Sequence, residues 1–254
     1  MKSSIRTLAV SVAALLALVS LTACGGGGST KKDTLTVFAA ASLTESFTTL
    51  GKAFEKKHPG VKVVFNFGPS SGLAAQIQQG GQVGVFASAS PSNMNTVVQA
   101  GDAKDPRTFA TNSMEIAVPP ANPGKITGLK DLASKNVKVA LCQAQVPCGK
   151  VAAEVFARAR LTVKPATEEV DVKSVLTKVT LGEVDAGVVY VTDVQAAGSK
   201  VKGITIPTAQ NASTDYPIAA LAHAKHASQA QEFVDLVLSS EGAKVLKGAG
   251  FQVP

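Results

Sequence analysis

From Leu35 onward, short apolar runs alternate with amphipathic stretches, and that rhythm confines the chain to an α/β architecture. Leu35 to Ala40 (LTVFAA) is apolar on both faces, as a strand buried inside a parallel sheet must be. Ser42-Leu43-Thr44-Glu45 reads as a capping box, with Ser42 opening a helix and Glu45 reaching back to it. Leu43, Phe47, Leu50 and Phe54 give that helix its apolar stripe, and His58-Pro59-Gly60 ends it. The alternation continues with a strand at Val61 to Phe67, a turn at 68–72, a helix at Leu73 to Gln79, a strand at Val83 to Ala87 and a helix from Pro91 to about Ala100. Later strands are expected at Met114 to Val118, Val137 to Leu141, Ala186 to Tyr190, Val201 to Ile206 and Ile218 to Ala222. Helices are expected at Leu129 to Ala133, Gly149 to Ala159, Val172 to Val179, Ser228 to Leu238 and Glu241 to Ala249. A length of 254 residues allows one large domain or two of roughly 100 residues each.

The N-terminus differs from this body. Lys2 and Arg6 precede an apolar run from Leu8 to Leu21, the pattern of a secretion signal. The run ends in Leu21-Thr22-Ala23-Cys24, which resembles the lipobox of bacterial lipoproteins. That resemblance implies removal of residues 1–23, a diacylglycerol on Cys24 and an extracytoplasmic protein held at the membrane by lipid. Residues 24–33 then form a Gly/Ser/Lys tether. No apolar stretch after the leader approaches the roughly 18 residues of a membrane span, which excludes a polytopic membrane protein.

Loss of Lys2 and Arg6 lowers the formal charge from +7 to +5. The remaining cations are scattered and no aromatic residues interleave them, so the charge reads as a solvated surface and no nucleic-acid partner is expected. With Cys24 lipidated, Cys142 and Cys148 remain, outside the cytoplasm, where disulfides persist. A disulfide between them would staple a short loop. In the rival reading Cys148 is a nucleophile of a secreted enzyme, which needs a base from His58, His223 or His226, all distant in sequence.

The informative small polar residues fall at strand ends. Ser42 follows the first strand and Ser70 and Ser71 follow the second, each at a predicted helix start. Ligands of open α/β sheets bind outside the carboxyl ends of strands, and helix N-termini there favour anions. A plain N-cap is the structural alternative for each serine. No GxxxxGK[ST], GxSxG or HExxH motif accompanies them. His223 and His226 read as surface residues, and Glu168, Glu169 and Asp171 as a loop before a helix, with a metal site as the alternative.

Val37 to Leu43 (VFAAASL) resembles the opening signature of molybdate-binding proteins of ABC uptake systems. The similarity continues through FGPSSGL at Phe67 to Leu73, FASA at Phe86 to Ala89, Val146-Pro147-Cys148-Gly149 and Gly187-Val188-Val189-Tyr190, in order along the mature chain. The resemblance implies a bilobal type II periplasmic-binding-protein fold, two α/β lobes joined by two crossovers with the anion between them. It implies a ligand set of Ser42, Ser70 with Ser71 adjacent, the backbone N–H groups of Cys148 and Val172, and the Tyr190 hydroxyl. Molybdenum is then held only as its oxyanion, with no direct metal ligand, no resident cofactor and no catalytic residues. The expected partners are the oxyanion, an ABC permease and, through Cys24, the membrane; the protein itself is expected to be a monomer. The chain departs from the family pattern at Gly84, where many relatives carry Asp, and at Cys148, where many carry Ala. If Cys148 contributes only its N–H, its side chain is free for the disulfide, which would rigidify the donating loop.

A site made only of donors prefers an anion without a proton, so molybdate and tungstate fit it, and phosphate, which keeps a proton, fits it less well. Sulfate or another tetrahedral oxyanion is the same-class alternative. A secreted Cys-dependent enzyme and a structural surface lipoprotein are the alternatives from other classes. The lobes are expected at 34–112 with 222–254, and at 113–221, crossing near Asn112-Ser113-Met114 and Tyr216-Pro217-Ile218.

Overall fold

The computed structural model describes residues 33–254. The leader, Cys24 and the tether as far as residue 32 lie outside the described residues; Asp33, assigned above to the tether, is the first residue of a strand. The first part of the chain runs β1 (Asp33–Ala40), α1 (Thr44–Lys57), β2 (Val61–Gly68), α2 (Ser70–Gln78), β3 (Val85–Ala87), α3 (Pro91–Gln99) and β4 (Arg107–Val118). Then come β5 (Val139–Cys142), α4 (Pro147–Ala159), β6 (Thr167–Glu169), α5 (Val172–Thr180), β7 (Ala186–Tyr190), α6 (Val191–Ala197) and β8 (Lys202–Thr205). β9 (Ser213–Ala220), α7 (Ala227–Leu238) and α8 (Ser240–Gly248) close the chain.

The strands lie in the order β2-β1-β3-β9-β4-β7-β5-β6, with β8 also on β4. β1 is parallel to β2 and β3, and β5 is parallel to β6 and β7. The antiparallel strands β4 and β9 join the two parallel groups. Arg107 to Ser113 of β4 pair with β9, whereas Met114 to Val118 pair with β7 and β8. One 12-residue strand therefore leaves one core and enters another.

Each core follows from the apolar runs. Along β1, Leu35, Val37 and Ala39 face α1, α7 and α8, while Phe38 faces the cluster that holds Leu73, Ile77 and Met94 of α2 and α3. Both faces are covered, so the strand is apolar at successive positions. The second core is built almost wholly from Met114 to Ala212 and includes Val139, Val155, Val175 and Val188. Gly187 lets α5 close on β7: a Cβ there would meet Val175 Cγ1 at 2.6 Å and Val179 Cγ2 at 2.9 Å.

Four sequence expectations change. Ser42 does not cap α1, because a 3-10 turn at Ala41–Leu43 precedes the helix and Leu43 occupies the cap position. β6, an edge strand of Thr-Glu-Glu, has no apolar pattern and is held by backbone pairing to β5. α6 follows β7 without a break, so no turn residues announce it. Residues 216–221 pack with the first core rather than the second, since Ile218 to Ala220 pair with β3. The second crossing therefore lies upstream of Tyr216-Pro217-Ile218, in the Ser213–Asp215 part of β9.

Candidate functional site

A small cavity lies where the two cores meet. It is lined by Ala40 to Ser42, Gly68 to Ser70, Ala89, Val146 to Cys148, Asp171, Val172 and Tyr190. At about 20 Å³ it slightly exceeds what one water-sized sphere needs. Five of the six ligand-site candidates line it. Ser71 does not; it is half-buried in the first turn of α2, beside Ser70. Gly84 does not line it; it lies just before β3, bonded through its N–H to Thr36 O at 2.8 Å.

The backbone explains how hydrogen-bond donors can meet at this cavity without a cationic side chain. α2 starts at Ser70, α4 at Pro147, α5 at Val172 and α6 at Val191, directly after Tyr190. The cavity thus sits at four helix starts and at the 3-10 turn that carries Ser42. The first N–H groups of a helix have no carbonyl four residues back, and they carry the positive end of its dipole. Cys148 and Val172 occupy such positions. No Lys or Arg lines the cavity, and the one carboxylate, Asp171, turns its Oδ1 to Ser174 N at 2.8 Å as the cap of α5.

Each hydroxyl is held differently. Ser70 Oγ accepts the N–H of Ala89 at 3.0 Å, which leaves its proton to give away. Ser42 Oγ lies 2.8 Å from the hydroxyl of Tyr216 on β9. The Tyr190 hydroxyl is buried with no hydrogen-bond partner. Its ring meets that of Tyr216 edge-on, with centroids 6.2 Å apart. Burial holds the Tyr190 phenol far above its ordinary pKa, with Tyr216 and Asp193 adding to the effect, so it stays a neutral donor.

Cys142 and Cys148 are joined by a disulfide with Cα atoms 5.8 Å apart, which occupies the sulfur a nucleophile would need. The loop closes tightly: a Cβ on Gly149 would stand 2.0 Å from Gln143 O. Glycine is required there by close backbone approach.

Sequence reasoning missed an ionic cluster beside the cavity. Lys173 Nζ lies 2.9 Å from both carboxylate oxygens of Glu45 on α1 and 3.1 Å from Asp193 Oδ1 on α6. Asp193 is fully buried, and its Oδ2 accepts the Tyr190 N–H at 3.2 Å. Burial pushes its carboxyl up to about 6, against the opposing pull of Lys173. Burial alone would lower Lys173, but Asp193 and Glu45 outweigh it and hold the ammonium above its ordinary range. The available signal was an acid three residues after a strand-end Tyr, in the first turn of a helix. Asn112 and Tyr216 were also missed; Tyr216 is one of only two tyrosines in the chain.

The other candidates do not converge here. His223 is exposed, and His226 Nδ1 lies 3.7 Å from Asp33 Oδ2. Glu169 Oε1 accepts the Thr167 hydroxyl at 2.6 Å. Among the described residues no three His, Cys, Asp or Glu side chains cluster as metal ligands, and no helix is long and apolar enough to cross a membrane. Chemically, the cavity brings together three neutral hydroxyls and the backbone N–H groups of helix starts, a set that can hold a desolvated anion.

Residues 35–252 match the family described as bacterial extracellular solute-binding protein. The chain is 36% identical over 256 residues to the molybdate-binding protein ModA of Mycobacterium tuberculosis strain H37Rv, covering 97% of this chain and 98% of the relative. It is 33% identical to a putative ABC transporter substrate-binding lipoprotein, YvgL, of Bacillus subtilis, covering 94% and 96%. Among solved structures, the periplasmic molybdate-binding protein of Azotobacter vinelandii superposes with a TM-score of 0.77 at 21% identity, covering 87% of this chain and 99% of that one. The last likeness establishes the fold, a periplasmic-binding-protein α/β clamp.

Proposed function

The chain belongs to the bacterial extracellular solute-binding protein family, and from that premise we propose that it is a receptor that binds molybdate, and tungstate with it, and delivers the anion to an ABC permease. The names of its relatives support the substrate, and the lipobox-like Leu21-Thr22-Ala23-Cys24 supports attachment by lipid on Cys24 outside the cytoplasm. The ligand set is Ser42, Ser70, Tyr190 and the N–H groups of Cys148 and Val172. The observation that carries the reading is the meeting of four helix starts and three hydroxyls at one cavity without a lysine or arginine.

In mechanism, the helix ends and hydroxyls replace the hydration shell of a dianion. Neutral donors spread the charge over many short bonds, each a charge-assisted hydrogen bond. The disulfide fixes the loop that offers the Cys148 N–H, so less ordering is needed on binding. The two cores act as lobes that close on the anion about β4 and β9, and the closed form is what a permease distinguishes.

Thermal melts of the mature protein with molybdate, tungstate, sulfate and phosphate test the reading. A ligand at about 1,000 times its dissociation constant adds roughly 4 kcal/mol. Shifts with molybdate and tungstate are expected. A shift with sulfate alone would reassign the substrate, and no shift with any of the four would refute oxyanion binding.

A further inference from the structure

Ser42 has one proton, and the anion site works as described only if that proton faces the cavity. If Ser42 donated to Tyr216, it would present lone pairs to the anion and repel it. The hydrogen bond between them, 2.8 Å long, permits either direction. Asn112, on β4 where that strand passes between the cores, removes the ambiguity. Its Oδ1 accepts the N–H of Ser113 at 3.1 Å, which fixes the amide orientation. Its Nδ2, which can only donate, then faces Thr192 Oγ1 at 2.8 Å and the Tyr216 hydroxyl at 3.5 Å. Of the two groups hydrogen-bonded to Tyr216 Oη only Ser42 Oγ can accept, so the buried phenol satisfies its single proton by giving it to Ser42. Asn112, Tyr216 and Ser42 are all buried, so no bulk water competes for these positions.

We propose that Asn112 and Tyr216 are specificity-setting positioning residues: a one-way donor chain from Asn112 through Tyr216 to Ser42 turns the Ser42 proton toward the cavity and so excludes oxyanions that carry a proton of their own. The proposal rests on the oxyanion reading given above. Neither residue lines the cavity. At Ser70 the same polarity is set directly by the backbone N–H of Ala89; at Ser42 side chains do that work.

The test compares dissociation constants for molybdate and for hydrogen phosphate at pH 8, by calorimetry on the mature protein. Tyr216→Phe removes the donor to Ser42, and the molybdate-to-phosphate preference is expected to fall about tenfold. Asn112→Asp keeps the shape but replaces the donor with an acceptor, so Tyr216 donates to Asp and Ser42 donates to Tyr216. The added charge weakens both dianions, whereas the preference falls only if the chain reverses, by tenfold or more. In the Tyr216→Phe background, Asn112→Asp is expected to leave the preference unchanged. Losses of equal size for both anions, or an equal effect of Asn112→Asp with and without Tyr216, would overturn the proposal. Should Asn112→Asp fail to fold, an unchanged preference in Tyr216→Phe alone would overturn it. A parent protein that binds none of these anions would instead refute the oxyanion reading.

Discussion

Two buried tyrosines, with ring centroids 6.2 Å apart, offer the same substitution in opposite circumstances. Tyr216 Oη is bonded to Ser42 and Asn112, and Tyr190 Oη has no partner. Removing a bonded hydroxyl from a buried pair leaves its partner unsatisfied and costs about 1–3 kcal/mol. Removing an unbonded one relieves a desolvation cost of about 1–3 kcal/mol, offset in part by lost contacts. In the absence of ligand, Tyr216→Phe should therefore be less stable than the parent, and Tyr190→Phe as stable or up to about 1 kcal/mol more stable. A gap of about 2 kcal/mol between them corresponds to roughly 4–8 °C in Tm for a chain of this size. With molybdate the Tyr190 variant loses its advantage, because a hydrogen bond to a charged group contributes about 1.5–3 kcal/mol, or 10- to 150-fold in affinity. Urea denaturation with and without molybdate reads both effects. Equal destabilisation of the two ligand-free variants, or unchanged molybdate affinity in Tyr190→Phe, would refute the reasoning.

Three further outcomes are expected. Replacing Cys142 and Cys148 by Ser opens a seven-residue loop and should cost about 2 kcal/mol by the chain-entropy relation, seen as a lower urea midpoint, with anion affinity falling several-fold. Asp193 titrates at about 6 against an ordinary 3.8, so the native state holds that proton more tightly than the unfolded chain; its contribution to stability is full below pH 3.8 and is lost as the pH rises through 6. The stability of the parent relative to Asp193→Asn should accordingly fall by about 2 kcal/mol between pH 4 and pH 7 and stay level above that, in urea titrations at stepped pH. Gly149→Ala forces a Cβ against Gln143 O and should destabilise by about 3 kcal/mol in the same assay, while alanine at the open Gly60 should have little effect.

Much of this arrangement is readable from the chain. The β1 and β7 runs are apolar because both of their faces are covered, and β7 has the bounds that its sequence suggests. Ser42, Ser70 and Tyr190 were legible as strand-end hydroxyls in a family pattern, but their chemistry was not. Ser42 looked like a helix cap by local rules, yet its partner Tyr216 lies 174 residues away, beyond any local pattern. Asn112 sits between Thr111 and Ser113 in β4, one polar residue among several, and its role depends on Thr192 and Tyr216 arriving from elsewhere. Asp193 was one acid among many until burial singled it out. The short β6 and α6 were invisible because neither has a periodic apolar face of its own.

The path of β4 and β9 also fixes an order of assembly. Nearly all of the second core comes from one continuous stretch, Met114 to Ala212, whereas the first needs residues 35–110 together with 216–251. A chain synthesised from its N-terminus holds everything for the second core before it holds everything for the first. β3 must wait for β9, and Phe47 must wait for Phe233, its ring neighbour at 5.9 Å. Long-range pairing of this kind is slow to form. Truncation within α7 or α8 should therefore leave the middle of the chain able to fold and the beginning exposed, with the apolar strand Leu35 to Ala40 as the segment most prone to aggregate.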